Sequence, residues 1–326
     1  MPGKKVFLVT ALFAAVVLTA GASVAVALSG ADDHTGPPSP SPSTSPSAPA
    51  KEPDIGPVFH ISDTGPVPLP LDPYMVSMED IKTLDRARDI TAAACMRSLG
   101  FTKWDDDTIR TGSPEDYNEY DFLEYIDPES ASVSGYPRPA NSSKPPSADR
   151  PPAARHAPTP EEQRAYGGSS STMLANGLKI PLGGCSGEAS RKVNGRITEL
   201  PVDPRSLAVD SRLSAMRDSR VRRALTEWSA CMAEKGLKYG DPVILRNDPR
   251  WGSRPATSPA GEEEKRTAGV DATCQREVNL VGVYKTVRAA YEKRLVDENR
   301  EKLIAAKPVV RQWVDNARRL IANGGT

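Results

Sequence analysis

The four cysteines are the residues whose type and spacing most clearly indicate chemistry in this chain. Cys95 and Cys231 each open a Cys-Met-x-x-x-Gly phrase, and each phrase is followed by one further cysteine, Cys185 or Cys274. Four cysteines allow three disulfide connectivities. The repeated phrase favours Cys95–Cys185 together with Cys231–Cys274, each joining the end of one helix to the start of a later one.

A metal site and free thiols are the alternatives for these cysteines. No Cys-x-x-Cys pair is present, and His34, His60 and His156 lie in segments that read as tether or loop. Zinc sites combine cysteine and histidine ligands at short spacings, whereas exported proteins oxidise their cysteines in pairs. The sequence therefore favours disulfides and predicts no metal or other cofactor.

A second group combines aromatic and acidic residues between Phe101 and Tyr136. Ring faces can stack on sugars or cationic peptides, and carboxylates beside them accept hydrogen bonds, so the segment could form a binding platform. The simpler interpretation, which we favour, is a helix with its rings in the core and its acids in solvent. The platform hypothesis rests on Trp104, Asp105, Asp106, Tyr117, Tyr120 and Tyr125.

Familiar catalytic patterns do not occur in the segments that we expect to be ordered. No histidine lies there, which removes serine–histidine and cysteine–histidine catalysis. The sequence Gly184-Cys185-Ser186-Gly187 lacks the Gly-x-Ser-x-Gly spacing of a nucleophile turn. No catalytic residue is therefore assigned, although paired carboxylates stay open as an alternative because such pairs are defined in space.

The elements that must position these residues have helical periodicity. Ser77 and Asp80 form a potential capping box, and Gly100 suits the position just after a helix. Asp203-Pro204 and Asp218-Ser219 each mark a further helix start.

The C-terminal region carries the longest helical pattern. It begins near Glu262 and is predicted to run to about Ala306, where Pro308 interrupts it before a closing helix. Strand signals are few, and the best, Pro242–Leu245, is short. We expect an all-α, disulfide-stapled domain with long C-terminal helices, behind an N-terminal apolar segment and a disordered tether.

The N-terminus sets the predicted compartment. Lys4 and Lys5 precede an uncharged apolar run from Val6 to Leu28, longer than the roughly 20 residues that span a bilayer. Small-residue sites such as Ala25-Val26-Ala27 fit signal-peptide cleavage instead. Since the lysines stay in the cytoplasm, the rest of the chain is exported in either case. We expect a single N-terminal anchor facing outside, or a secreted protein if the segment is cleaved.

Clustered prolines divide the chain, which contains 31 of them. We predict a signal anchor or signal peptide at residues 1–30, a Pro/Ser-rich tether at 31–74 and a helical extracytoplasmic domain at 75–326. A second proline-rich stretch, near 132–160, is expected to be a disordered loop inside that domain.

The net charge argues against one class of partner. Forty-two basic and 42 acidic residues balance, so whole-protein attraction to nucleic acid is not expected. The membrane, through the N-terminal segment, and an unknown envelope component or protein are the expected partners.

The phrases around the cysteines resemble a group of secreted, lipoprotein-like proteins of high-GC Gram-positive (actinobacterial) bacteria. The resemblance lies in the run Val221–Gly236, in Ala268–Cys274 and in Asn279–Tyr284, and extends over about residues 75–105 and 180–305. It implies export, helices and disulfides, and it implies no chemistry. Members of the group often carry a lipidated N-terminal cysteine, from which this chain departs because no cysteine lies near its apolar run.

Two functions follow from these observations. The first is a surface-tethered or secreted, non-enzymatic binding module of the cell envelope, whose ligand the sequence does not identify. The alternative is a secreted hydrolase that uses carboxylates on an envelope polymer, with the acidic and aromatic segment as its cleft. Whether the chain is an enzyme is left uncertain by the sequence.

Overall fold

Helices supply the regular structure of the computed structural model, which describes residues 51–104, 121–138, 158–168, 172–255 and 257–326. No strand occurs within these ranges, so the expected all-α class is confirmed there. The predicted N-terminal apolar segment and the first part of the tether lie outside them, as does the middle of the proline-rich loop. The helices are a 3-10 helix at Asp72–Tyr74, α1 Met78–Ser98, α2 Pro128–Ser134, α3 Pro160–Gly167, α4 Gly184–Asn194, α5 Pro204–Arg217, α6 Ser219–Glu234, α7 Pro242–Arg246, α8 Glu262–Glu277 and α9 Leu280–Ala322.

Side-chain caps begin α1, α5 and α6 at the predicted places. The Ser77 hydroxyl accepts a hydrogen bond from the Asp80 backbone N–H, and Asp203 and Asp218 cap the other two helices in the same manner. Each cap satisfies a backbone donor that the first helical turn leaves without a partner. Gly100 follows α1 with a φ of +96°, a left-handed conformation that favours glycine.

The best strand signal in the sequence, Pro242–Leu245, does not form a strand, because these residues belong to α7. The Asp241 carboxylate accepts hydrogen bonds from the backbone N–H of Val243 at 2.7 Å and of Ile244 at 3.3 Å. Pro242 occupies the first helical position, where its missing N–H costs nothing. An apolar run of four residues does not distinguish a strand from a buried helix, and here the cap decides for the helix.

The C-terminal helices divide at a different residue from the predicted one. Asn279, with a φ of +49°, separates α8 from α9, and α9 then continues through Pro308. Proline removes one backbone hydrogen bond and costs a helix about 3 kcal/mol. Burial of Leu303 and Trp313 on both sides of Pro308 offsets that cost, so the helix continues past the proline. A kink lies earlier in α9, at Asn299, whose φ of −118° and ψ of 15° are not helical.

Helix α9 connects three of the four apolar clusters of the described fold. Its first turns pack with α6 and α8 around Trp228 and Tyr284. Its middle packs on α5 and Leu71, and its last turns pack on α1 and Val193. The remaining cluster lies among α1, α3 and α4 and contains Trp104.

Two disulfides join Cys95 to Cys185 and Cys231 to Cys274, the connectivity that the repeated phrases favour. The first links the end of α1 to the start of α4, as expected. The second differs, since Cys274 lies near the end of α8 and not at its start. The bonds close loops with sequence separations of 90 and 43, and such loops contribute about 4 kcal/mol each, mainly by restricting the unfolded chain.

The second part of the predicted tether is integral to the fold. Leu71 is 1% exposed, and its backbone N–H donates to the Glu292 carboxylate of α9 at 3.1 Å. The Phe59 N–H donates to Thr286 Oγ1 at 2.8 Å, and the Glu52 carboxylate accepts from Ser219. Proline content alone suggested a tether here, but these apolar and polar contacts order residues 51–74. Within the described ranges, no helix combines the length and the apolar character that a membrane crossing requires.

Candidate functional site

A cleft of about 1010 Å³ opens beside the N-terminal end of α9. Residues 61–67 form one side of it, and Val281 and Lys285 contribute from α9. The segment before α2 contributes five side chains, and α7 contributes Val243 and Arg246. The rest of the lining comes from Pro137, Arg138, Asn247 and residues 252–254. A cavity of this volume accommodates a small organic ligand.

Apolar side chains cover much of this cleft. Ile61 and Val67 approach from the N-terminal segment, Phe122 and Ile126 from the segment before α2, and Val281 from α9. Ile61 and Phe122 also pack on the core cluster around Trp228, so the apolar wall continues the core. The wall can therefore bury an apolar part of a ligand.

Arg138 and Arg254 belong to a group of three arginines on the lining of the cleft. The Arg254 guanidinium meets the Glu264 carboxylate through two parallel hydrogen bonds, from Nε and from Nη2, both of 2.8 Å. Arg138 donates to the backbone carbonyls of Trp251, at 2.6 Å, and Gly252, at 3.2 Å. These two side chains hold the loop that follows α7 in place.

Arg246, at the end of α7, is the third arginine and has a different environment. Its Nε and Nη2 atoms are buried and have no hydrogen-bond partner in the part of the chain that the structure describes. The Nε of Arg138 is in the same condition. Buried polar groups almost always find partners, so each exception calls for an explanation.

Asp271 of α8 lies near Arg246 and is completely buried. Its carboxylate accepts hydrogen bonds from Trp228 Nε1 at 2.9 Å, Tyr136 Oη at 3.1 Å and Gln275 Nε2 at 2.8 Å. Burial raises the pKa of Asp271, and the hydrogen bonds and the charge of Arg246 only partly oppose that rise. Trp228, 0% exposed, is therefore both a core residue and a donor to this carboxyl.

Asp121 forms the second charged group on the cleft lining. Tyr284 Oη, Lys285 Nζ and Arg288 Nη1 all donate to its carboxylate, and Arg288 Nε donates to Glu292 at 2.7 Å. Burial by itself raises the pKa of Asp121, but the charges of Arg288 and Lys285 and the hydrogen bonds outweigh it, so the pKa is lowered. The same surroundings raise the pKa of Tyr284, because burial and the Asp121 charge disfavour the phenolate.

These carboxylates differ in what they could do in catalysis. Asp121 is ionised and held by three donors, so it does not offer a proton to a leaving group at neutral pH. Glu124, also on the lining, accepts from the Asp121 backbone N–H at 3.4 Å. The geometry of this group suits structural support of the cleft better than acid–base chemistry.

The structure divides the six residues of the platform hypothesis. Trp104 is 4% exposed, donates from Nε1 to Glu162 at 2.9 Å and stacks on Tyr166 with ring centroids 5.4 Å apart. Its assignment to an exposed platform is wrong, because both the ring face and the N–H already have partners in the core. Tyr125 is half-buried and lines the cleft. Asp105, Asp106, Tyr117 and Tyr120 lie outside the described residues.

One group has the spacing of metal ligands. The sulfurs of Cys231 and Cys274 and a carboxylate oxygen of Glu277 lie within 4.8 Å of one another. The two sulfurs are joined in a disulfide, and metal binding by cysteine requires the thiolate. In this oxidised form the group is therefore a disulfide with an adjacent acid.

Sequence reasoning missed the arginines of the cleft. Arg138 lies in the predicted proline-rich loop, Arg246 directly follows the weak strand signal, and Arg254 lies in no predicted element. Arg138 lies far before Arg246 and Arg254 in the chain, and the three follow no motif. Arg138 and Arg254 come together because Gly252 and Glu264 hold them, and both contacts exist only in the folded chain.

Comparison of the chain with protein-family models, with curated proteins and with solved structures found no match. What this protein does is therefore inferred from the cleft and from the residues that line it.

Proposed function

We propose that this protein is a non-enzymatic binding module of the cell envelope and that the cleft beside α9 is its ligand-binding site. The observation that carries the proposal is the cleft itself, with about 1010 Å³ of space, an apolar wall and a few convergent charged groups. Binding sites for small molecules have this composition.

The envelope location rests on the sequence. The apolar run Val6–Leu28 after two lysines is suited to export, either as an anchor or as a signal peptide. The two disulfides support an oxidising compartment, because paired cysteines persist there and are rare in the cytoplasm. The proline- and serine-rich stretch that follows would hold the folded part away from the membrane.

Binding is preferred over hydrolysis because of the state of the cleft carboxylates. A glycoside hydrolase needs one carboxyl group that donates a proton and a second that attacks or activates water. Asp121 is ionised and paired with Lys285 and Arg288, and Glu124 is directed to the Asp121 backbone. Asp63, the third carboxylate of the lining, accepts from the Gly65 backbone N–H at 2.7 Å. These contacts support a cleft whose walls are fixed for recognition.

The test is capture from envelope extracts with the full chain and with two tryptophan variants. Val67→Trp fills the cleft, whereas Val58→Trp places the same ring on the same segment at a position that is 45% exposed and outside the cleft. We expect the wild type and Val58→Trp to retain one envelope component equally, and Val67→Trp to retain at least tenfold less. Equal retention by Val67→Trp, or release of hydrolysis products from envelope polymer, would contradict the proposal.

A further inference from the structure

Arg246 has a guanidinium edge without a partner, and a neighbour in the same cleft shows what that edge binds. Nε and Nη2 form one side of the guanidinium fork, and both are the unpartnered atoms of Arg246. In Arg254 the same two atoms hold the two oxygens of the Glu264 carboxylate, each at 2.8 Å. This two-point contact is the preferred geometry between arginine and carboxylate or phosphate.

The two acids Glu264 and Asp271 accept their hydrogen bonds from groups other than Arg246. Glu264 is already bound by Arg254, and the oxygens of Asp271 accept from Trp228, Tyr136 and Gln275. Burial raises the pKa of Asp271, which favours its neutral form and weakens it as a counter-ion. Burial lowers the pKa of Arg138, and although Glu264 opposes this, the like charges of Arg254 and Arg246 lower it further.

The surroundings of the arginines indicate what else the ligand contains. Val243, one turn before Arg246 on α7, lies on the cleft lining, as do Ile126 and Val281. An anion that is fully hydrated gains little from such a wall, whereas an apolar chain attached to the anion is buried by it. The cleft thus combines an oxyanion contact with an apolar contact.

We infer that the cleft binds an amphiphile whose head is an oxyanion, a carboxylate or a phosphate, and that Arg246 is the residue that anchors this head. The inference rests on the proposed function, since it concerns the same cleft. Because the Nε and Nη2 atoms are buried, the inference requires the Arg246 side chain to turn about its terminal torsions and present this edge to the ligand. The ligand head then offers two acceptor oxygens to Arg246, as the Glu264 carboxylate does to Arg254.

Calorimetric titration of the full chain tests the head group with four probes of one chain length. Octanoate and octyl phosphate carry the two oxyanions, octanol is neutral, and octyltrimethylammonium is cationic. We expect the two anions to bind at least tenfold more tightly than octanol and the cation to bind most weakly. Binding of octanol or of the cation as tightly as octyl phosphate would overturn the inference.

Variants of Arg246 test the anchor. Arg246→Gln removes the charge and the fork, and we expect it to weaken the binding of octanoate and octyl phosphate by about 10- to 100-fold, because charge-assisted hydrogen bonds are lost. Arg246→Lys keeps the charge without the fork and should be intermediate. Arg250→Gln is the matched control, since Arg250 is an exposed arginine four residues on, paired with Asp248 and outside the cleft.

Octanol serves as the internal reference for folding. Its binding to the apolar wall should be the same in the wild type and in both Arg246 variants, so a misfolded variant is recognised by the loss of octanol binding as well. Arg246→Lys then provides the second measurement if Arg246→Gln does not fold. Unchanged affinity of Arg246→Gln for octyl phosphate, with octanol binding intact, would overturn the inference.

The source of the head group is tested with vesicles. Phosphatidylcholine vesicles with 30% phosphatidylglycerol offer a lipid phosphate in a bilayer, and octyl phosphate below its micellar concentration offers a free one. Arg246-dependent binding to either probe supports the inference and tells which source is used. Failure of all anionic probes, with Val67-dependent capture retained, would overturn this inference and leave the proposed function standing. Tight binding of octyl phosphate, with envelope capture that is unaffected by Val67→Trp, would contradict the proposed function and leave this inference standing.

Discussion

At the scale of single residues, Asp121 and Asp271 show how neighbours decide the ionisation of the same side chain. Both are buried, at 5% and 0% exposure. Asp121 faces two cations, Lys285 and Arg288, and its pKa is lowered in spite of burial. Asp271 receives three neutral donors, and burial raises its pKa. Asp121 is therefore an ion-paired support of the cleft, and Asp271 is a hydrogen-bond acceptor in the core.

The pH dependence of unfolding should separate these two aspartates. A lowered pKa in the fold means that Asp121 contributes stability above the ordinary value of 3.8 and loses it as the pH falls through the folded pKa. The difference in unfolding free energy between wild type and Asp121→Asn should therefore shrink as the pH falls below about 4. The pKa of Asp271 is raised in the fold, so its effect on stability has the opposite sign. The unfolding free energy of the wild type should therefore fall relative to that of Asp271→Asn as the pH rises above 3.8.

Urea unfolding of the three proteins between pH 3 and pH 7 measures both slopes, and each aspartate variant is the control for the other. Two slopes of the same sign would show that the charges of Lys285 and Arg288 do not dominate at Asp121.

Trp104 and Trp228 should both behave as core residues. Trp104 is 4% exposed and Trp228 is 0% exposed, and each donates its N–H to a buried carboxylate. We expect Trp104→Ala and Trp228→Ala each to lower the unfolding free energy by about 3–5 kcal/mol, because each leaves a cavity. Phe59→Ala, with a ring that is 37% exposed, is the control and should cost less than about 1 kcal/mol. A small loss for Trp104→Ala, with weaker ligand capture, would restore the platform hypothesis for that residue.

At the scale of elements, α9 organises the fold, and the segment 51–67 depends on it. The Phe59 carbonyl accepts from Asn279 Nδ2 at 2.8 Å and lies directly over Gly282. A Cβ at residue 282 would collide with this carbonyl oxygen, so only glycine lets the segment approach α9 so closely. Since residues 61–67 line the cleft, this contact links the position of α9 to the shape of the ligand site.

Gly282→Ala should therefore displace the segment without unfolding the helices. Alanine suits a helix better than glycine, so the helix content should stay the same or rise slightly. We expect limited proteolysis to cut between residues 51 and 67 at least tenfold faster and ligand capture to fall. Gly240→Ala is the control, because a Cβ there meets no atom within 4 Å. Unchanged cleavage in Gly282→Ala would show that the segment is held by its other contacts.

At the scale of the whole molecule, we expect the N-terminal run to decide where the cleft operates. The run Val6–Leu28 is longer than a typical signal-peptide core, and its length favours an anchor. An anchored cleft would stay within reach of the membrane, at a distance that the proline- and serine-rich stretch sets, whereas a released one would sample the whole envelope. The oxyanion amphiphile inferred above fits the first location best, because lipids are the amphiphiles concentrated there.

Cell fractionation should accordingly recover the intact chain in the membrane fraction, with residues 1–28 still attached. A variant with Leu18→Asp and Val24→Asp, which interrupts the apolar run, is the control and should leave the membrane. A soluble mature form that begins near Ser23, Leu28 or Asp32 would show that the small residues direct cleavage instead.

The sequence by itself determined the local features of this protein. Helix starts at Asp203 and Asp218 and the helix end at Gly100 could be read from neighbouring residues, because caps act within a few positions. The disulfide partners followed from a repeated phrase.

Tertiary structure alone decided where those features meet. Trp104 became core because Glu162 and Tyr166, about 60 residues later, take its N–H and its ring face. The continuation of α9 through Pro308 was settled by burial on both sides of the proline, which local propensity does not contain. The cleft depends on residues from 61 to 285 in the chain, and its charges depend on which acid each arginine reaches, so no short stretch of sequence encodes it.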